Sequence, residues 1–119
     1  MAEIKNYTDL RIYQEGYKLV LEMYKVTRKY PIEEKYEIVS QIRRAAYSIP
    51  LNIAEGWGRK SKLEFKRFLK MSLGSCNELQ VLIDLSQDLG YIDEKEHEEF
   101  KDKITQIGKQ IYTMEEKWI

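Results

Sequence analysis

Residues 61–90 read SKLEFKRFLK MSLGSCNELQ VLIDLSQDLG. Phe65, Phe68, Leu69, Ser72, Cys76, Leu79 and Ile83 recur at steps of three and four, which puts them on one face of a helix. Ser61 followed by Glu64 is a capping-box pattern at the start, and Gly90 suits the left-handed residue past the end. A helix this long exceeds the usual strand several-fold, so the stretch commits the chain to α-structure.

Working outward, the same period continues on both sides. A fourth helix is expected from Asp93, its cap, with Glu96 in the capping-box position. Its stripe is His97, Phe100, Ile104, Ile107, Ile111, Met114 and Trp118. A second helix is expected from Ile32 or Glu33 to Gly56, with Ile38, Ile42, Ala46, Ile49 and Ile53 facing the core. Pro50 lies inside that pattern, so a kink or bulge is expected there and not a helix end. A first helix is expected from Asp9 to Tyr30, capped by Thr8 or Asp9 and stopped by Pro31. Its stripe reads Leu10, Tyr13, Tyr17, Val20, Tyr24 and Thr27, with Ile12, Leu19, Met23 and Val26 beside it.

Gly totals six and Pro two, too few turn residues for an all-β fold. Short connections make sequential helices antiparallel neighbours. The predicted fold is all-α: a left-handed, antiparallel up-down-up-down four-helix bundle, one domain over residues 1–119. Twenty basic residues balance twenty acidic ones, which excludes a globally basic nucleic-acid binder. One Cys and one His exclude an intrachain disulfide and a Cys/His zinc site. No run approaches 18 apolar residues and no signal-peptide pattern opens the chain, so a soluble, cytoplasmic protein without a membrane partner is expected.

Two helices carry more apolar surface than one core needs. Leu63, Gly74, Val81 and Leu85, with Met71, Leu82 and Leu89, lie behind the core stripe of the third helix. Tyr47, Leu51 and Ala54 lie on the back of the second. Contiguous exposed apolar surface marks interaction sites, so Tyr47, Leu51, Ala54, Gly74, Val81 and Leu85 are the expected interface of a homo-oligomer.

Charge is also uneven. Residues 41–70 hold eight basic side chains (Arg43, Arg44, Arg59, Lys60, Lys62, Lys66, Arg67, Lys70) and two acidic ones, Glu55 and Glu64, a net +6. From Tyr91 onward the net is −3. The basic cluster is the candidate contact for RNA or DNA phosphates, without sequence reading, and Trp57 beside it is a candidate stacking residue. Gln41, Ser48, Asn52, Glu55 and Glu78 are expected to form a structural polar seam. No glycine-rich phosphate loop, nucleophile elbow or repeated Glu-x-x-His metal motif is present, so no catalytic residue, metal or cofactor is expected. Cys76 is expected to be a buried, unreactive thiol.

The strings Gln41-Ile42-Arg43-Arg44-Ala45-Ala46, Ser48-Ile49-Pro50-Leu51-Asn52-Ile53-Ala54-Glu55-Gly56, Glu64-Phe65-Lys66-Arg67-Phe68-Leu69 and Gly74-Ser75-Cys76-Asn77-Glu78-Leu79 resemble the 23S rRNA-intervening-sequence protein family. The resemblance runs from Leu10 to about Met114. It implies a bacterial four-helix bundle with no enzymatic activity. The family's fold is in turn similar to the accessory variability proteins of retroelements, pentameric barrels whose basic surface binds nucleic acid and a reverse transcriptase. A homopentamer is thus the implied assembly, with nucleic acid as its partner. The competing expectation is a protein-interaction scaffold whose basic residues serve solubility.

Overall fold

A computed structural model describes residues 3–117. It has four α-helices: α1 Arg11–Thr27, α2 Ile38–Gly58, α3 Lys62–Asp88 and α4 Glu94–Lys117. Short 3-10 turns, Tyr7–Asp9 and Ile32–Glu34, precede α1 and α2, and no strand occurs among the described residues. Each helix packs on its neighbour in sequence, α4 closes on α1, and the α2–α3 contact is the most extensive. The molecule measures 42 × 25 × 21 Å, about one long helix in length.

The predicted punctuation of α3 and α4 is present in atomic detail. Ser61 Oγ accepts from the Glu64 amide at 3.2 Å. At the other end Gly90 has φ +81°, with Gly90 N donating to Gln87 O and Tyr91 N to Ser86 O, both 2.9 Å, a Schellman close. Asp93 and Glu96 form the reciprocal box: Glu96 N donates to Asp93 Oδ1 at 2.8 Å and Asp93 N to Glu96 Oε1 at 3.1 Å. Every residue of the α3 core stripe is buried, and so are Phe100, Ile104, Ile107 and Ile111 of α4. Trp118, the expected last member of the α4 stripe, lies outside the described residues.

The first helix departs from expectation. Its core-facing line is Ile12, Gly16, Leu19, Met23 and Val26, one residue off the tyrosine stripe, while Tyr17 is exposed. Two lines with a helical period lie side by side here, and a buried tyrosine hydroxyl needs a partner that an aliphatic chain does not. Gly16 adds a second reason: a Cβ there would lie 3.2 Å from Ile49 Cγ2 and 3.6 Å from Pro50 Cδ, so its absence lets α1 approach the Pro50 turn. The helix also begins two residues later than expected. Asp9 does not cap it; its Oδ2 instead accepts from the amides of Lys5 and Asn6, closing the Tyr7–Asp9 turn.

The second helix starts at Ile38, not Ile32 or Glu33. Residues 32–37 have nothing to bury: Ile32 and Tyr36 are exposed, and Glu37 has non-helical backbone angles. From Ile38 the apolar stripe holds the helix on the core, and it runs through the buried Pro50 without ending.

Two close contacts fix how α2 meets α3. Ser72, fully buried, donates through Oγ to the Ile49 carbonyl at 2.9 Å. Near the turn, a Cβ on Gly56 would lie 2.6 Å from Phe68 Cβ. Only hydrogen fits at that position.

Candidate nucleic-acid interface

The eight predicted basic residues do not form one surface. Arg43 turns inward. Its Nε donates to Thr27 Oγ1 at 3.0 Å, and its guanidinium lies over the Tyr24 ring at 4.5 Å. It ties α2 to α1 and leaves the candidate patch. Arg44 is exposed on the outer face of α2, but fifteen residues from Arg59, roughly 22 Å along the helix. Lys70 reaches the buried Glu115 at 3.7 Å. Lys66 is half-buried.

The remaining four stand at the α2–α3 turn. Arg59 pairs with Glu55 at 3.0 Å and approaches Glu64 at 4.0 Å. Arg67 grips Glu64 in a fork, at 3.0 and 3.2 Å. That hydrogen bond holds the Glu64 carboxyl below its ordinary range and raises the Arg67 guanidinium. Both arginines lie over the Phe68 ring, at 5.1 and 4.7 Å. Two of the four charges are thus partly neutralised within the chain.

Lys60 and Lys62 are different. They are exposed and flank a groove of about 340 Å³, lined also by Gly56, Trp57, Ser61, Phe65 and Lys5. Among the described residues none of the three lysines pairs with a carboxylate. Trp57 is half-buried, edge-on to Phe65 with ring centroids 5.7 Å apart. Lys5 was invisible to sequence reasoning. It arrives because the Tyr7–Asp9 turn packs against α2. A larger groove of about 510 Å³ runs between α3 and α4, but its lining carries a single cation, Lys109.

The expected polar seam takes a local form. Ser48 Oγ donates to Arg44 O at 2.7 Å, Asn52 Nδ2 to Ser48 O at 2.8 Å, and Glu55 accepts from Arg59. These bonds run along α2 and not across to α3, because short polar side chains in a helix reach the carbonyl one turn back. Gln41 and Glu78 are exposed. In the register set by Ser72 and Ile49, Glu78 stands level with Arg43, about 18 Å along the axis from Glu55. The two carboxylates do not meet.

Of the expected interface, Tyr47, Leu51, Val81 and Leu85 are exposed and Ala54 is half-buried. The same register brings Leu51 near the level of Met71, and Tyr47 near that of Gly74. Apart from the backbone of its own helix and its chain neighbours, no described atom lies within 4 Å of where a Gly74 Cβ would be.

Cys76 is buried, and burial pushes its thiol up to about 12. A neutral thiol without access is inert. Ellman's reagent at pH 8 is expected to leave Cys76 unlabelled in the folded protein and to label it fully in denaturant. Rapid labelling without denaturant would show that α3 opens. On the α3–α4 seam His97 Nε2 lies 2.8 Å from Asp84 Oδ1, and Lys101 Nζ lies 2.9 Å from the same oxygen. The His97 bond, then that of Lys101, holds the Asp84 carboxyl below its usual value.

A comparison with family models matches residues 8–113 to the 23S rRNA-intervening sequence protein family. The chain belongs to this family. A solved structure from the S23 ribosomal protein family of Bacteroides thetaiotaomicron, described as of unknown function, superposes with a TM-score of 0.82. It is 22% identical, and the match covers 88% of this chain and 95% of that one, which shows a shared fold. No match was found among curated proteins. The Ala54-Glu55-Gly56 string has a physical meaning here: Glu55 holds Arg59, and Gly56 admits Phe68. Among the described residues no helix is long and apolar enough to cross a membrane.

Proposed function

We propose that the protein is a non-enzymatic, self-associating bundle of the cytoplasm that binds nucleic acid through phosphate contacts at the α2–α3 end. The observation that carries this reading is the convergence of Lys5, Lys60 and Lys62 on one groove. They come from two separate segments, the N-terminal stretch and the α2–α3 turn, and have no carboxylate partner among the described residues. Such contacts hold the backbone of RNA or DNA without reading its sequence.

Self-association is supported by the outer face of α2 and α3. Tyr47, Leu51, Val81 and Leu85 are each at least 40% exposed. Gly74 costs helix stability relative to alanine, and no packing within the chain requires it. A second copy against that face would account for both. A ring of five, the assembly the family resemblance implies, would repeat the lysine groove and multiply its field. The neutralisation of Arg59 and Arg67 by Glu55 and Glu64 favours a second reading, a protein scaffold whose basic end serves solubility.

Light scattering coupled to size-exclusion chromatography tests these readings, with and without a mixed RNA oligonucleotide. A mass near five chains that grows with RNA at low salt, and reverts at high salt, is the expected result. An oligomer unmoved by RNA would favour the scaffold. A stable monomer at micromolar concentration would overturn self-association.

A further inference from the structure

The charge along the α1–α4 seam changes character towards one end. In the middle of the seam it is balanced: Glu15, Glu22 and Asp102 line a groove of about 470 Å³ together with Arg11, Lys18 and Lys103, and Lys103 pairs with Glu22. Where α1 begins and α4 finishes, the next groove holds about 370 Å³ and no acidic side chain lines it. Arg11, Lys109 and Lys117 stand exposed around it, with the buried Ile12 and the half-buried Met114 in its wall. Among the described residues none of these three cations pairs with a carboxylate. Glu115, two residues before Lys117, is buried and faces Lys70 of α3 instead. Like charges around one groove repel each other, a cost that the middle of the same seam avoids with its carboxylates. An anion from solution would relieve it in the same way.

The place of this groove ties it to the lysines at the α2–α3 turn. Gly16 sits against Ile49 and Pro50, so α1 begins beside the last turns of α2. Lys70 meets Glu115, which sets the last turns of α4 beside the first third of α3. Both grooves therefore open at the same end of the bundle. Lys5 lines one and Arg11 the other, and the chain between them, residues 5–11, spans at most about 20 Å. The Tyr7–Asp9 turn makes the span shorter still.

We infer that the two grooves form one track for a nucleic-acid strand, held at Lys60 and Lys62, passing Lys5 and continuing to Arg11, Lys117 and Lys109 on the α1–α4 seam. The inference rests on the nucleic-acid reading above and adds a second phosphate-binding region to it.

The test uses the full chain and two labelled single strands, a 12-nucleotide polyuridine and a uridine trinucleotide with a 5′ phosphate, followed by fluorescence anisotropy over a range of salt. Each phosphate contact adds about 0.7 to the slope of log affinity against log salt, so six contacts give the 12-mer a slope of about 4. The trinucleotide has three phosphates and cannot exceed about 2. Arg11→Gln with Lys109→Gln and Lys117→Gln is expected to bring the 12-mer slope down to about 2 and its affinity down about 100-fold near 0.1 M salt. The same variant should bind the trinucleotide only about twofold more weakly, because the lysine groove still takes it. Lys25→Gln with Arg28→Gln and Lys35→Gln makes an equal charge change on exposed side chains towards the far end, and should cost the 12-mer less than threefold. If the groove variant loses its melting transition, Lys109→Gln alone replaces it, with an expected drop in slope of about 0.7.

A 12-mer slope that the groove variant leaves unchanged would overturn the track and leave the lysine groove standing. Equal losses in the two triple variants would overturn it as well, since the strand would then answer to net charge. Failure of the 12-mer to bind the parent chain at low salt would overturn the nucleic-acid reading itself.

Discussion

Gly56→Ala is expected to destabilise the fold by about 2 kcal/mol, while the same change at Gly74 stabilises it by about 1 kcal/mol or less. Both glycines lie inside helices, so alanine brings each the same gain in propensity, about 1 kcal/mol. The difference is space. At Gly56 the new methyl would sit 2.6 Å from Phe68 Cβ and 3.2 Å from Phe65 Cδ1. Phe68 Cβ is fixed to the α3 backbone, so no rotamer change relieves the overlap and the helices must separate. Overpacking of this kind costs up to about 3 kcal/mol. It falls at the most intimate helix pair of the bundle, against the buried Phe65 and Phe68. At Gly74 nothing beyond its own helix lies within 4 Å. Urea unfolding of the two variants measures the contrast. A Gly56→Ala protein as stable as the parent would mean that α2 and α3 do not touch at that end. The Gly74→Ala arm bears on assembly as well. If a second copy packs there, the variant dissociates at higher concentration even though its chain is no less stable.

The α3 and α4 helices were legible because their signals are local. Ser61 with Glu64, Asp93 with Glu96, and Gly90 each act within one turn, and one dominant stripe leaves no doubt about which face is buried. The α1 helix offered two adjacent lines of equal period. What separates them is tertiary: the seat that Gly16 leaves for Ile49 and Pro50, known only once α2 is in place. The start of α2 was misplaced because Pro31 is a good helix opener, while the residues after it have no apolar face to bury. The site divides in the same way. Glu55 and Glu64 lie four and three residues before Arg59 and Arg67, so their pairing was open to reading from spacing alone. The loss of Arg43 to Thr27 and Tyr24, sixteen and nineteen residues away in sequence, and the arrival of Lys5 beside Lys62 follow from helix packing and leave no trace in the spacing.

Reversing two groove charges at once, Lys60→Glu with Lys62→Glu, is expected to weaken binding to a single strand by about 100-fold at low salt. Each phosphate contact contributes about 0.7 to the slope of log affinity against log salt. Losing two should therefore lower that slope by about 1.4, and the new carboxylates repel the backbone in addition. The control must carry the same charge change. Arg28→Glu with Lys35→Glu does so at the far end of the bundle, where both side chains are exposed. There the expected loss is less than threefold once both double variants are compared at physiological salt, where the field of an exposed charge fades over about 8 Å. Folding should tolerate the groove pair. Lys60 and Lys62 have no ion-pair partner among the described residues, and glutamate in the left-handed position of Lys60 meets the same backbone penalty as lysine. Equal losses in the two double variants would mean that nucleic acid responds to net charge and not to this groove. A loss confined to the groove pair, with an unchanged melting temperature, would place the phosphate contacts at the α2–α3 turn. Arg59 and Arg67 would then act chiefly as braces: held by Glu55 and Glu64 over Phe68, they keep the turn rigid while the lysines meet the strand.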